Sequence, residues 1–172
     1  VAVSLAAVRG GARQIQGTLN GLGERCGNAN LCSLLPNLLL KEPYASQFET
    51  GVSREQLAHL TSVSRLLDEI LNRAPNRHAA YVGPSAFAHK GGLHSSAVAK
   101  DPRTYEHVPP ESVGNARKIL VSDQAGRSNL IARLAEAGID VEANHPRIAR
   151  LLEDVKQREL LGYAYDGAEA SF

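Results

Sequence analysis

The chain has 172 residues, of which 43% are apolar and 22% charged, a globular composition long enough to bury a core. A formal net charge of +1, with Lys and Arg scattered among Asp and Glu, provides no single-signed field for nucleic acid or an anionic membrane surface, so both partners are disfavoured. No apolar run approaches the roughly 20 residues that cross a bilayer, since Pro36 and Asn37 interrupt the longest one, Leu34 to Leu40.

The opening VAVSLAAVRGG predicts the end of a helix, with Val1, Leu5 and Val8 on one face and Gly10-Gly11 as the stop. It has neither a basic leader nor a small-residue cleavage site, and the absence of Met at position 1 reads as a cut inside a longer protein. Arg13 to Thr18 predicts a short strand, and helix, glycine stop and strand together make one αβ step of a parallel α/β protein. LNGLGERCGNAN follows, with three glycines and three asparagines in twelve residues. Such a loop brings backbone amides and amide side chains to a ligand. Cys26 and Cys32 are too few for a disulfide framework and too oddly spaced for a zinc knuckle, which points to reduced thiols in a cytoplasmic protein.

Leu31, Leu34, Leu35 and Leu38 recur at helical spacing, although Pro36 costs that helix a hydrogen bond outside its first turn. Ser53 to Arg73 is the clearest helix. Ser53 and Gln56 form a capping-box pattern, and Leu57, Leu60, Val63, Leu67, Ile70 and Leu71 form one apolar stripe. Gly91-Gly92 precedes a helix over LHSSAVAK that Asp101-Pro102 closes. KILVS predicts a short strand, and Leu130, Ile131 and Leu134 a helix stopped by Gly138. The last helix is expected from Pro146 to Leu161, capped by Asn144 and ended by Gly162.

Two blocks carry a resemblance. GARQIQGTLNGLGERCGNANL, at 11–31, resembles the last barrel strand and loop of the isopropylmalate, homocitrate and citramalate synthases. AHKGGLHSSAVAKDPRTYEHVPPESVGNARKILVSDQAGRSN, at 88–129, resembles their post-barrel lid, and is most similar to the citramalate branch. The resemblance implies α/β structure at the start, as the last αβ unit of a TIM barrel, and mostly α-helical lid subdomains afterwards. It implies three segments: 1–42 as the end of a catalytic barrel with its metal-site loop, 43–105 as a helical linker and lid, and 106–172 as a second small α/β to helical subdomain.

Members of that family are acyltransferases that condense acetyl-CoA with a 2-keto acid, and the lid favours pyruvate and citramalate over 2-isopropylmalate or homocitrate. By resemblance a divalent metal (Mg, Mn or Zn) holds the keto acid as a Lewis acid. Its main ligands are expected upstream of this chain, which would leave the chain inactive by itself. Asn28 matches the amide that completes the metal site, and an amide oxygen suits a hard or borderline cation. Thr18 either orients substrate or ends a strand. Glu24 is assigned to the substrate region, where it either contacts substrate or forms a buried ion pair with Arg25 that braces the loop. His94 matches the lid histidine that family members place over the partner subunit's barrel, and Tyr105 the tyrosine that follows. Imidazole titrates near neutrality and a phenol shares protons, so the pair suits acid/base work. His89 is the alternative histidine. A homodimer with its lid acting in trans is the expected assembly, and the phrase GYAYDGAEASF leads, in similar enzymes, into a regulatory domain. Two other readings are a metal-dependent retro-Claisen lyase of the same superfamily and a non-catalytic helical interaction module.

Overall fold

In the computed structural model, which describes residues 1–120, 126–142 and 144–165, the elements follow the apolar spacing and the Gly and Pro stops. Contacts divide the chain into two units, Val1–Phe87 with Val108–Ala116, and Ala88–His107 with Arg117–Phe172. These limits differ from the 42/43 and 105/106 divisions expected from the resemblance. Residues 108–116 belong to the first unit because Val108 and Val113 are buried in its core.

The first unit opens with helix α1, Ala2–Arg9, which buries Val8 and stops at Gly10. The strand expected over Arg13 to Thr18 does not form. Residues 12–17 carry no regular structure, and Thr18 alone makes a parallel bridge, to Asn30. There the Thr18 N–H donates to the Ala29 carbonyl and the Leu31 N–H to the Thr18 carbonyl, both at 2.9 Å. A ladder needs a neighbouring strand to satisfy successive backbone groups, and here the partner is one residue long. Helix α2, Leu31–Leu40, begins on Asn30, whose side chain accepts from the Cys32 N–H, and it carries Pro36 in its interior. One residue along from the carbonyl that Pro36 leaves without its helical donor, Asn37 Nδ2 donates to Ser33 O at 2.7 Å. A single turn, α3 (Tyr44–Gln47), follows.

The helix expected from Ser53 to Arg73 is two helices, α4 (Arg54–Leu57) and α5 (Leu60–Ile70). The capping box forms as the sequence suggests, with Ser53 Oγ accepting from the Gln56 N–H and Gln56 Oε1 accepting from the Ser53 N–H. The break at Ala58 and His59 faces a 3-10 turn, Pro110–Val113, that packs on α4. Thr61 Oγ1 donates to the Val113 carbonyl at 2.7 Å, and Gly114 sits so close to Ala58 that a Cβ there would lie 2.1 Å from its carbonyl oxygen. The apolar stripe is buried only at its start. Leu57 and Leu60 enter the core, whereas Val63, Leu66, Ile70 and Leu71 are exposed and the covered face of α5 carries Thr61, Ser64 and Asp68. The core itself joins Cys32, Leu57, Leu60, Tyr81, Val82, Phe87, Val108 and Val113.

In the second unit, β1 (Ala88–His89) pairs in parallel with β2 (Lys118–Ile119), with Ala88 opposite Lys118 and His89 opposite Ile119. β1 was not foreseen, and β2 is the start of the KILVS strand, whose Val121 and Ser122 lie outside the described residues. Helix α6, Gly92–Lys100, is the LHSSAVAK helix, and α7, Arg127–Glu136, ends just before Gly138. Helix α8, Pro146–Leu160, is capped by His145 rather than Asn144, with its imidazole accepting from the Arg147 N–H. Pro146 explains the shift, because proline favours the first helical position and pushes the residue before it into an extended, capping conformation. α6 packs on α7 and α7 on α8 around Val98, Leu130, Ile148 and Val155. Asn129, fully buried on α7, donates from Nδ2 to the carbonyls of Lys90 and Leu120, at 3.0 and 3.1 Å. Among the described residues the structure is therefore mostly helical with one small two-stranded parallel sheet. No helix among them is long and apolar enough to cross a membrane.

Candidate functional site

The glycine-asparagine loop is closed on itself. The Asn28 N–H donates to the Gly21 carbonyl at 3.0 Å, and Gly27, at φ +87°, passes so near that a Cβ would lie 2.1 Å from the same oxygen. Only a residue without a side chain permits both the positive φ and this approach. Thr18 and Asn28 converge on one atom. Thr18 Oγ1 donates to the Leu22 carbonyl at 2.7 Å and Asn28 Nδ2 donates to it at 2.9 Å. Both line an open cleft of about 630 Å³ together with Gln16, Gly17 and Ala29. Because a carbonyl demands a donor, this contact fixes which end of the amide is nitrogen. Asn28 Oδ1 is left without a hydrogen bond among the described residues, an uncommitted amide oxygen of the kind that ligates a divalent cation.

Glu24 does not line this cleft. It pairs with Arg25 at 2.9 Å, but the two side chains are 86% and 83% exposed, so the buried brace expected of them is a solvated surface pair that contributes little. Cys26 in the same loop is exposed, and Cys32 is buried. Burial pushes the Cys32 thiol up, so it stays protonated and donates to Asn20 Oδ1 at 3.3 Å. Among the described residues no group of three or more His, Cys, Asp and Glu side chains is arranged to hold a metal ion. Asn28 thus fits a metal as one ligand and not as a complete site.

In the second unit the structure brings His94 and Tyr105 together. His94 lies in the first turn of α6, and the turn Pro102–Thr104 carries the chain back so that the Tyr105 ring rests 4.3 Å from the imidazole, tilted by 34°. Asp101 caps that turn by accepting from the Arg103 N–H. The His89 ring makes a T-shaped pair with the same phenol, 6.4 Å between centroids. Sequence reasoning missed the residues behind this pair, Glu106 and Arg117. Glu106 is buried and accepts from Arg117 Nε at 2.6 Å, while His89 Nε2 lies 3.0 Å from the same carboxylate oxygen. Burial alone would raise the Glu106 carboxyl, but the Arg117 and His89 hydrogen bonds and charges outweigh it and hold the group below its ordinary value. The available signal was a charged residue directly after the tyrosine, in a segment otherwise ready to be read as turn.

Comparison with known proteins gives two family matches, one in each part of the chain. Residues 1–64 match the HMGL-like family, and residues 81–159 match the family described as homocitrate synthase post-HMGL domain-like. The (R)-citramalate synthase of Synechocystis sp. is 54% identical over all 172 residues, and that of Aquifex aeolicus 52% identical over 171. This chain belongs to the citramalate and homocitrate synthase family. A more distant member, the homocitrate synthase AksA of Methanopyrus kandleri, is 43% identical over 144 residues, or 83% of this chain. The chain spans 30% of the length of the Synechocystis enzyme, 31% of that of Aquifex and 34% of AksA.

Proposed function

We propose that this chain is part of a cytoplasmic acyltransferase that condenses acetyl-CoA with a 2-keto acid, pyruvate, to form citramalate. The observation that carries the proposal is the similarity to (R)-citramalate synthases over the whole chain, 54% in Synechocystis and 51% in Geobacter sulfurreducens. The match of 81–159 to the family described as homocitrate synthase post-HMGL domain-like favours a synthase over a lyase or a freestanding interaction module. On this proposal residues 1–42 complete a TIM barrel, whose other strands would supply the partners that 12–17 lack, and the 43–105 and 106–172 segments form its lid.

Chemically, Thr18 and Asn28 would hold the keto acid at the cleft, with Thr18 in the substrate region and the Asn28 amide oxygen as one ligand of a divalent metal (Mg, Mn or Zn). When bound, the metal supplies Lewis acidity at the keto oxygen. The main metal ligands would come from sequence outside this chain. Glu24, exposed on the same loop, would meet substrate only from the solvent side. His94 and Tyr105 would handle protons. The imidazole accepts or returns a proton at a ring nitrogen, and the phenol Oη, which has no hydrogen bond among the described residues, shares one with substrate or water. A homodimer with the lid acting on the partner's barrel is supported by the uncovered apolar side chains of α5, where Ile70 is 71% exposed.

The test is CoA release, followed with a thiol reagent under Mg²⁺, Mn²⁺ or Zn²⁺. The 172-residue chain alone should match the blank, while a synthase carrying it should release CoA in a pyruvate-dependent way and yield citramalate. Turnover by the chain alone, or a synthase indifferent to pyruvate, overturns the proposal.

A further inference from the structure

The Glu106 carboxylate is the deepest charge in the second unit's site, with 4% of its side chain exposed. Arg117 approaches it in a fork, with Nε on Oε1 at 2.6 Å and Nη2 on Oε2 at 2.5 Å, and His89 Nε2 takes a second position on Oε1 at 3.0 Å. The three side chains come from three stretches of chain. His89 ends β1, Arg117 immediately precedes β2, and Glu106 immediately follows Tyr105. Removing a carboxylate from water costs several kcal/mol before pairing, and apolar side chains of similar size often do as well for stability alone. What a bidentate ion pair adds is fixed geometry.

Tyr105 has need of such fixing. It is 46% exposed, and its side chain makes no hydrogen bond among the described residues. Its ring is guided by the His94 ring at 4.3 Å and, in a T-shaped pair, by the His89 ring at 6.4 Å, and its backbone by the Tyr105 and Glu106 N–H groups donating to the Pro102 carbonyl, at 3.1 and 2.9 Å. The next residue along is the buried anchor, and that anchor also holds His89, the second imidazole beside the ring. We propose that Glu106, braced by Arg117 and His89, is a positioning residue that fixes the backbone at 105–106 to the two-stranded sheet and so holds the Tyr105 phenol against His94. The structural claim stands on this geometry; its kinetic consequence rests on the function proposed above for the pair.

The test reads geometry first. In the 172-residue chain, nuclear Overhauser cross-peaks between the Tyr105 and His94 ring protons should be present, and Glu106→Gln should lose them while circular dichroism shows the helices retained. Arg117→Lys, which keeps a cation on Glu106 without the fork, should retain them in part. Should Glu106→Gln fail to fold, Arg117→Lys and His89→Gln are read in its place, and undiminished cross-peaks in both overturn the proposal, as do undiminished cross-peaks in a folded Glu106→Gln. In a synthase carrying the chain, Glu106→Gln should lower kcat about 100-fold and leave the keto-acid KM within about twofold, whereas a purely stabilising role would leave kcat per folded molecule unchanged. Loss of the cross-peaks without loss of kcat would support the positioning and overturn the catalytic role proposed for the pair.

Discussion

At Gly114 a single missing methyl group decides whether two pieces of the first unit can meet. The backbone there has φ +69°, and the Ala58 carbonyl oxygen occupies the space a Cβ would need. Gly114→Ala should cost more than about 1 kcal/mol, read as a lower denaturant midpoint, whereas Gly51→Ala, with nothing within 4 Å, serves as the neutral control. At Asn28 the expected outcome is the reverse. The side chain is exposed and gives one hydrogen bond to a loop carbonyl, so Asn28→Ala should leave the unfolding midpoint nearly unchanged. In a synthase carrying the chain, calorimetry should then show weakened metal or keto-acid binding. Unchanged affinity would return Asn28 to holding the loop. Neither contrast was legible in the sequence. The positive φ at Gly114 is the local C-cap of the Pro110–Val113 turn, but the close approach that forbids a Cβ comes from a carbonyl 56 residues away, and the exposure of Glu24 and Arg25 depends on which way the loop turns, which neighbouring charges do not reveal.

Helix by helix, what was legible is what is local. The capping box at Ser53, the stop before Gly138 and the helix after Gly91 depend on neighbours within four residues, and they form as read. Replacing Ser53 by Ala should cost about 1 kcal/mol, measured by chemical denaturation, because it removes the acceptor of the Gln56 N–H. What failed is what requires partners. The strand at Arg13 to Thr18 lacks a neighbour to pair with, and the α4–α5 break comes from the Pro110–Val113 turn far along the chain. The apolar stripe expected along Ser53–Arg73 is split by the α4–α5 break, and periodicity does not say what covers its second half, where Val63, Ile70 and Leu71 are exposed.

For the whole molecule, acid should act through Glu106. Its folded carboxyl lies below the ordinary glutamate value, so its stabilising contribution is fully present above the unfolded value, near 4.5, and is lost as pH falls through the lowered folded one. Thermal melts between pH 6 and about 3 should fall more steeply for the wild-type chain than for Glu106→Gln; parallel curves would remove Glu106 from the acid response. Assembly is tested by subunit exchange. In a synthase carrying the chain, two variants, one with His94→Ala and one lacking the metal ligands proposed outside this chain, should regain activity when refolded together if the proposed lid works in trans. Mixed dimers that stay inactive would exclude it. A last consequence follows from the path of the chain, which leaves the first unit after Phe87, returns for 108–116, and leaves again. Neither unit is a contiguous cassette. Recombination, or a protein engineer swapping units between relatives, could not exchange one by a single crossover without cutting through the other, so the two should be inherited together as one block.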